Sequence, residues 1–194
     1  MLFKNFIELK RGFDLPTQNR KSGKYPVVSS NGISDYHSDY KCVAPGVITG
    51  RSGTIGNTFY INDNYWPLNT TLYVIDFKNN IPKYVYYALC QFNFIDYATG
   101  TSVPTLNRNF LDNVEIKVHS LSEQRHIVDT IGTIDNLIEK NDDIMAKIHV
   151  LLDKKYKSFT HGFERVKIAE LDYFNICKSG INQFDNQKIY LDTA

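Results

Sequence analysis

The sequence predicts an α+β fold, in which a mixed, strand-rich domain over residues 1–119 is followed by a long coiled-coil helix over residues 120–160. Three observations predict it. Residues 1–119 are rich in Tyr, Phe, Val, Ile and Thr and are punctuated by Gly, Asn and Pro, which is the composition of strands joined by turns. Residues 120–160 carry apolar side chains in alternating steps of four and three, the 3.5-residue period of helices paired lengthwise. The chain has 194 residues, 42% of them hydrophobic and 22% charged, enough for one domain with a core plus an appendage.

In chain order, strands are expected at residues 25–29, 47–49, 57–61, 71–76 and 114–118, where β-branched and aromatic residues cluster between turn signals. Asn31-Gly32 is a strong turn pair, since both residues tolerate positive φ. A helix is expected at 83–91, with Pro82 in its first turn, where a missing N–H costs nothing. The long helix opens on a capping box: Ser120 can bond the Glu123 amide and Glu123 can bond back. Its stripe runs Ile127, Ile131, Ile134, Ile138, Asn141, Met145, Ile148, Leu152, Lys155, Phe159. At about 1.5 Å per residue the rod is roughly 60 Å long. Leu137, Ile144 and Leu151 form a second row, so the apolar face is wider than a two-stranded seam. Asn141 interrupts the stripe, a device that costs stability and fixes register. Gly132 costs about 1 kcal/mol against Ala and lets a neighbour approach. The competing reading of the run is a core helix of a globular bundle, but the sequence offers no second helix of comparable length. Residues 161–194 suggest strands at 163–171 and 188–192 around a polar loop. They are too few for a core of their own, and read either as the partial start of another domain or as a docking tail.

Composition narrows the function classes. No apolar run approaches the roughly 18 residues of a membrane span. The N-terminus has no signal-peptide core, so the expected compartment is cytoplasmic. Cys42, Cys90 and Cys177 are odd in number and far apart, which fits reduced thiols rather than a disulfide framework. The net charge is +1. Residues 1–119 hold 12 Lys/Arg against 9 Asp/Glu, with a basic cluster at Lys10, Arg11, Arg20, Lys21 and Lys24 that is compatible with phosphate contacts. The histidines have no metal-ligand spacing, and no Cys-x-x-Cys occurs.

The loop 50–56 (Gly-Arg-Ser-Gly-Thr-Ile-Gly) is the most glycine-dense stretch. It is neither a P-loop nor a nucleophile elbow. It reads as a tight loop whose backbone and Arg51 can approach a ligand, or as a β-turn with an exposed Arg. Trp66, Asn69 and Thr70 lie in a run of hydrogen-bonding residues, and residues 100–109 repeat the theme with Ser102, Asn107 and Arg108. Amides and Arg read adenine and guanine edges, and Ser and Thr bind phosphates. The plainer reading is that these side chains satisfy turns.

The order of these stretches carries a resemblance. Tyr25-Pro26-Val27-Val28-Ser29-Ser30-Asn31-Gly32 is followed by the 50–56 loop, by Trp66-Pro67-Leu68-Asn69-Thr70-Thr71, by the 100–108 loop, and by Glu123-Gln124-Arg125 opening the long helix. Over about residues 5–160 the chain resembles a specificity subunit of a type I restriction–modification system, in a half-length form with one target recognition domain and one long helix. The resemblance implies a non-catalytic DNA-reading role. It also implies double-stranded DNA as ligand, methyltransferase subunits docked on the helix, and an endonuclease subunit joining through the complex. S-adenosylmethionine is expected in the partner methyltransferase, with no cofactor in this chain. Such subunits carry two recognition domains separated by two antiparallel helices, so a homodimer through Ile127, Ile131, Ile134, Ile138, Asn141, Met145, Ile148 and Leu152 is expected. The DNA-facing residues are expected to include Asn31, Arg51, Ser52, Trp66, Asn69, Thr70, Ser102, Asn107 and Arg108. The alternatives are a truncated scaffold that binds methyltransferase without reading DNA, and a small hydrolase using His37 or Cys90.

Overall fold

A computed structural model of the chain describes residues 1–100 and 104–162. The first element is a single helical turn, α1 (Phe3–Phe6), which buries Phe3 and Phe6. Seven strands follow: β1 (Glu8–Arg11), β2 (Tyr25–Ser29), β3 (Gly32–His37), β4 (Gly46–Gly50), β5 (Thr58–Ile61), β6 (Trp66–Pro67) and β7 (Thr71–Asp76). Helix α2 (Pro82–Cys90), the short pair β8 (Ala98–Thr99) and β9 (Thr105–Leu106), and α3 (Leu121–Thr160) complete the order.

The strands form an antiparallel sheet β1-β7-β4-β5, a second sheet β3-β2-β6 and the ribbon β8-β9. Period-two alternation decides which side chains go to which core. Leu72 and Val74 of β7, Val47 of β4 and Leu9 of β1 join Val85 and Leu89 of α2, with Phe3, Phe6, Phe94, Leu106 and Leu111, in the larger core. The intervening Tyr73 and Ile48 join Val28, Ile61 and Tyr65 in a second core. Strand β4 is buried at every position because it lies between two strands and is covered on both faces. The cost of leaving strand polar groups unpaired is met by the ladders, so the two cores share one central sheet.

Two expectations change here. Residues 114–118 are not a strand. Val114 and Ile116 hold the N-terminus by Phe3 N to Val114 O at 2.8 Å and Ile116 N to Met1 O at 2.8 Å, with one bridge, Leu2 to Glu115. Val114, Ile116 and Val118 pack on the larger core from an extended segment with no full ladder. In the β2–β3 hairpin, Ser29 pairs with Gly32, so Ser30 and Asn31 are the central residues and Gly32 alone takes positive φ, at 103°. The strands expected at 163–171 and 188–192, together with Cys177, lie outside the described residues.

The capping box forms. Ser120 N and Oγ donate to the Glu123 carboxylate at 2.8 and 2.7 Å, and Glu123 N donates back to Ser120 Oγ at 3.4 Å. These bonds hold the Glu123 carboxyl below its ordinary pKa, the side-chain bond first and the backbone bond second. A depressed folded pKa gives stability that is present above the unfolded value and lost as pH falls through the folded one. The stability gap between wild type and Ser120→Ala should therefore shrink from about pH 6 to about pH 3, followed by helical circular dichroism on heating.

The compact unit that contains the domain runs Met1–Asn141, beyond the expected boundary at 119, and a second unit begins at Asp142. The reason is that the first turns of α3 are built into the domain. Ile127 and Val128 pack on the larger core, and Gln124 is 1% exposed. Gln124 Nε2 donates to Asn80 Oδ1 at 2.8 Å and to His119 O at 2.9 Å, while its Oε1 accepts from the Ile81 amide at 3.1 Å. Further along, Tyr87 donates to Asp135 at 2.6 Å, and Lys83 lies 3.4 Å from the same carboxylate. From Asp142 to Thr160 the helix is exposed throughout, with Lys147–Asp143 and Lys157–Asp153 pairs at (i, i+4) that add a few tenths of a kcal/mol each. Among the described residues no helix is long and apolar enough to cross a membrane.

Candidate nucleic-acid interface

The loop between β4 and β5 is closed by its own backbone: Gly50 N donates to Asn57 O at 2.8 Å and Gly56 N to Gly50 O at 3.2 Å. Glycine is required at its base and tip. A Cβ on Gly50 would overlap the Thr54 carbonyl, and Gly53 takes a φ of +81°. The loop is then clamped from both sides. Arg51 N and Ser52 N both donate to Thr70 O, at 2.8 and 3.2 Å, and Arg51 O accepts from Leu106 N at 2.8 Å. Ser52 and Thr105 form a β-bridge. At the tip, the Thr54 hydroxyl donates to Asn31 Oδ1. Stretches far apart in sequence, around residues 31, 51, 70 and 106, are therefore brought together at one end of the central sheet.

The candidate residues do not share one environment. Asn31 is exposed; its amide donates to Ser29 Oγ at 3.2 Å and its side chain meets Thr54. Arg51 is half-buried and its guanidinium makes neither a hydrogen bond nor an ion pair among the described residues. Burial first, and the charge of Arg11 second, hold its pKa below the ordinary value. Asn69 Nδ2 donates to the Asp14 carboxylate. Thr70 Oγ1 is buried without a hydrogen-bond partner among the described residues. Asn107 caps the short 3-10 turn Arg108–Phe110 by accepting from Asn109 N at 3.1 Å, and Arg108 Nη1 donates to Leu9 O at 2.8 Å. Asn107 and Arg108 thus hold backbone as well as lying on the loop side. Ser102 lies outside the described residues.

Trp66 is the clearest departure. It is 8% exposed, in the parallel pair with β2, edge-on to His37 at 5.4 Å and to Phe13 at 6.5 Å, with Lys41 over its ring at 4.8 Å. Its ring packs between elements rather than standing on a surface, because burying so large an apolar area outweighs its polar sequence context. Sequence reasoning also passed over Arg11 as an individual residue. Only the basic cluster pointed to it, and within that cluster Arg20 is paired with Asp35 at 3.1 Å.

Among the described residues, the two residues of the hydrolase alternative, His37 and Cys90, stand in different surroundings. His37 Nδ1 accepts the Lys21 amide at 2.9 Å. The Cys90 thiol is pushed up by burial, which lowers its thiolate fraction. On α3, Ile127 faces the domain, whereas Ile131, Ile134, Ile138, Met145, Ile148 and Leu152 are exposed and Asn141 is exposed with them.

Residues 3–150 match the family described as Type I restriction modification DNA specificity domain. Among solved structures, the type I restriction–modification S subunit from M. genitalium is similar at a TM-score of 0.74 and 20% identity, over 84% of this chain and 46% of that one. The HsdS subunit from Thermoanaerobacter tengcongensis is similar at 0.52 and 14%, over 72% and 38%. A structure described as the basis of complex assembly and conformational transition of the type I R-M system is similar at 0.55 and 15%, over 81% and 43%. At these identities the likeness is one of fold, and the chain spans less than half the length of each of these relatives. No curated protein matches its sequence. A strand-rich domain running into one long helix, matched over most of its length, places this chain in the type I restriction modification DNA specificity domain family.

Proposed function

We propose that the chain is the sequence-reading, non-catalytic component of a cytoplasmic type I restriction–modification complex. Its domain reads one half of a two-part duplex DNA site. Helix α3 joins two copies and docks methyltransferase subunits, which carry S-adenosylmethionine; an endonuclease subunit joins through that assembly. The observation that carries the reading is the loop end of the central sheet, where Asn31, Arg51, Ser52 and Thr70 come together and the Arg51 guanidinium has no hydrogen-bond or ion-pair partner among the described residues. The exposed isoleucines of α3 support the pairing, since contiguous apolar surface of this length marks an interaction site. The relative described by complex assembly supports a place beside other subunits.

Methylome sequencing of cells that express the chain with its methyltransferase tests this. A two-part adenine-methylated motif is expected, and an inverted repeat if two copies assemble. The scaffold alternative predicts methyltransferase binding with no motif that depends on the chain, and that result would replace the present reading.

A further inference from the structure

The loop end holds a second arginine. Arg11 ends β1 opposite Leu72 of β7, and Leu72 is in turn opposite Thr49 of β4, so Arg11 and Thr49 stand in one row across the sheet. Gly12 N donates to Thr71 O at 3.1 Å on one side of β7, while Arg51 N donates to Thr70 O at 2.8 Å on the other. The start of β7 is therefore flanked by Arg11 and Arg51. Neither side chain has a hydrogen bond or a carboxylate partner among the described residues, and the nearby Asp14 is engaged by Asn69. The hydroxyls of Thr49 and Thr70, in the same region, are buried without a hydrogen-bond partner among the described residues. Two arginines that flank the start of one strand, with no carboxylate partner among the described residues, suit an anion.

We infer that Arg11 and Arg51 together clamp one phosphodiester of bound nucleic acid, so that Arg51 positions the domain rather than reads a base. A guanine edge is neutral and gives its two acceptors to one guanidinium, which leaves the repulsion between the two arginines in place. A phosphodiester brings a negative charge and two non-bridging oxygens, one for each arginine. Contacts to phosphate set register and carry no sequence information. This inference rests on the DNA-binding reading for its ligand, though not for the existence of the anion site.

The test separates the two on the full-length chain. In the first arm, thermal melting is compared in sodium pyrophosphate and in sodium chloride at matched ionic strength. Pyrophosphate should raise the wild-type midpoint, and Arg11→Gln and Arg51→Gln should each abolish the rise; no rise, or a rise that both variants keep, overturns the clamp. In the second arm, anisotropy of a fluorescein-labelled 30-base-pair mixed-sequence duplex is followed across a salt series. The slope of log K against log salt should fall by about one for each Gln variant and hold for Arg51→Lys. Duplex binding with an unchanged slope in both Gln variants overturns the clamp as a DNA contact. A pyrophosphate effect without duplex binding by wild type leaves the anion site standing, assigns it to free phosphate, and overturns the DNA source. Midpoints in chloride serve as the folding control, and they should not fall, because each Gln variant relieves a like-charge repulsion.

Discussion

Gln124→Ala should be the most destabilising single change on α3, at about 3 kcal/mol, read as a fall in melting midpoint of about 6–12 °C. The side chain is 1% exposed and all its hydrogen-bonding groups are used within the domain. Truncation removes little apolar area but takes the partner of three groups at once: Asn80 Oδ1 and the Ile81 amide, on half-buried residues, and the His119 carbonyl. The Ile81 amide matters doubly, because Ile81 is the N-cap of α2 and no side chain of its own caps that helix. Asn80 itself ties back to Phe6 O at 2.8 Å and Phe77 O at 3.0 Å, so the same network reaches α1 and β7's end.

Gln124→Glu gives a sharper version. It keeps the shape and the bond from Ile81 while aiming a carboxylate at two carbonyl oxygens. That carboxyl should have a raised folded pKa, through burial and through the two acceptors it faces. A raised acid pKa costs stability above the folded value and costs less as pH falls toward the unfolded one. The deficit of Gln124→Glu relative to wild type should therefore narrow from pH 7 toward pH 5, while that of Gln124→Ala stays level. Equal and pH-independent deficits would argue that the amide network is incidental packing.

This network shows where the sequence is legible and where it is not. The capping box at Ser120 and Glu123 is local, four residues long, and its bonds form as the spacing predicts. Gln124, the next residue, reads as one more polar residue at a helix start. Its importance depends on Asn80 and Ile81, some forty positions earlier, and no local pattern carries that. The strands divide the same way. Tyr25–Ser29 and Thr71–Asp76 match the expectation because their apolar positions meet a core on each face. Glu8–Arg11 and Gly32–His37 are edge strands with mostly polar, exposed positions, so their backbone pairing leaves little trace in hydrophobicity.

The loop motifs were legible as a set, since residues around 31, 51 and 70 do converge. Their individual roles were not. Trp66 is held in packing by Phe13 and His37, and Asn107 caps a turn, which is the ordinary fate of an amide in a loop. Arg11 is not legible as a neighbour of the 50–56 loop, because the row that aligns it with Leu72 and Thr49 is a register across three strands, a property of pairing rather than of any one segment.

On the pairing proposed above, replacing Ile134 or Ile148 with Asp should abolish self-association through α3 while leaving the monomer intact. In the single chain these side chains are 55% and 42% exposed, so a polar replacement costs the monomer little. In a symmetric pair each substitution acts twice. Losing two buried isoleucines removes about 3–6 kcal/mol, which weakens the dimer on the order of a thousandfold. The pairing proposed is antiparallel, the arrangement that the family resemblance implies. Ile134 and Ile148 lie seven residues to either side of Asn141, and Ile127 and Lys155 lie fourteen. An antiparallel pair with Asn141 facing Asn141 at the two-fold axis sets Ile134 of each copy against Ile148 of the other. It also lets the two amides bond each other, which accounts for a polar residue in an apolar seam. Asn141→Cys should then cross-link to itself under mild oxidation, whereas Ile134→Cys should cross-link only with a copy carrying Ile148→Cys. Sedimentation that finds monomer at micromolar concentration for wild type, with methyltransferase present as well as absent, would falsify the pairing. Ile134→Cys joining to its own counterpart would overturn the antiparallel register and require the helices to run in parallel.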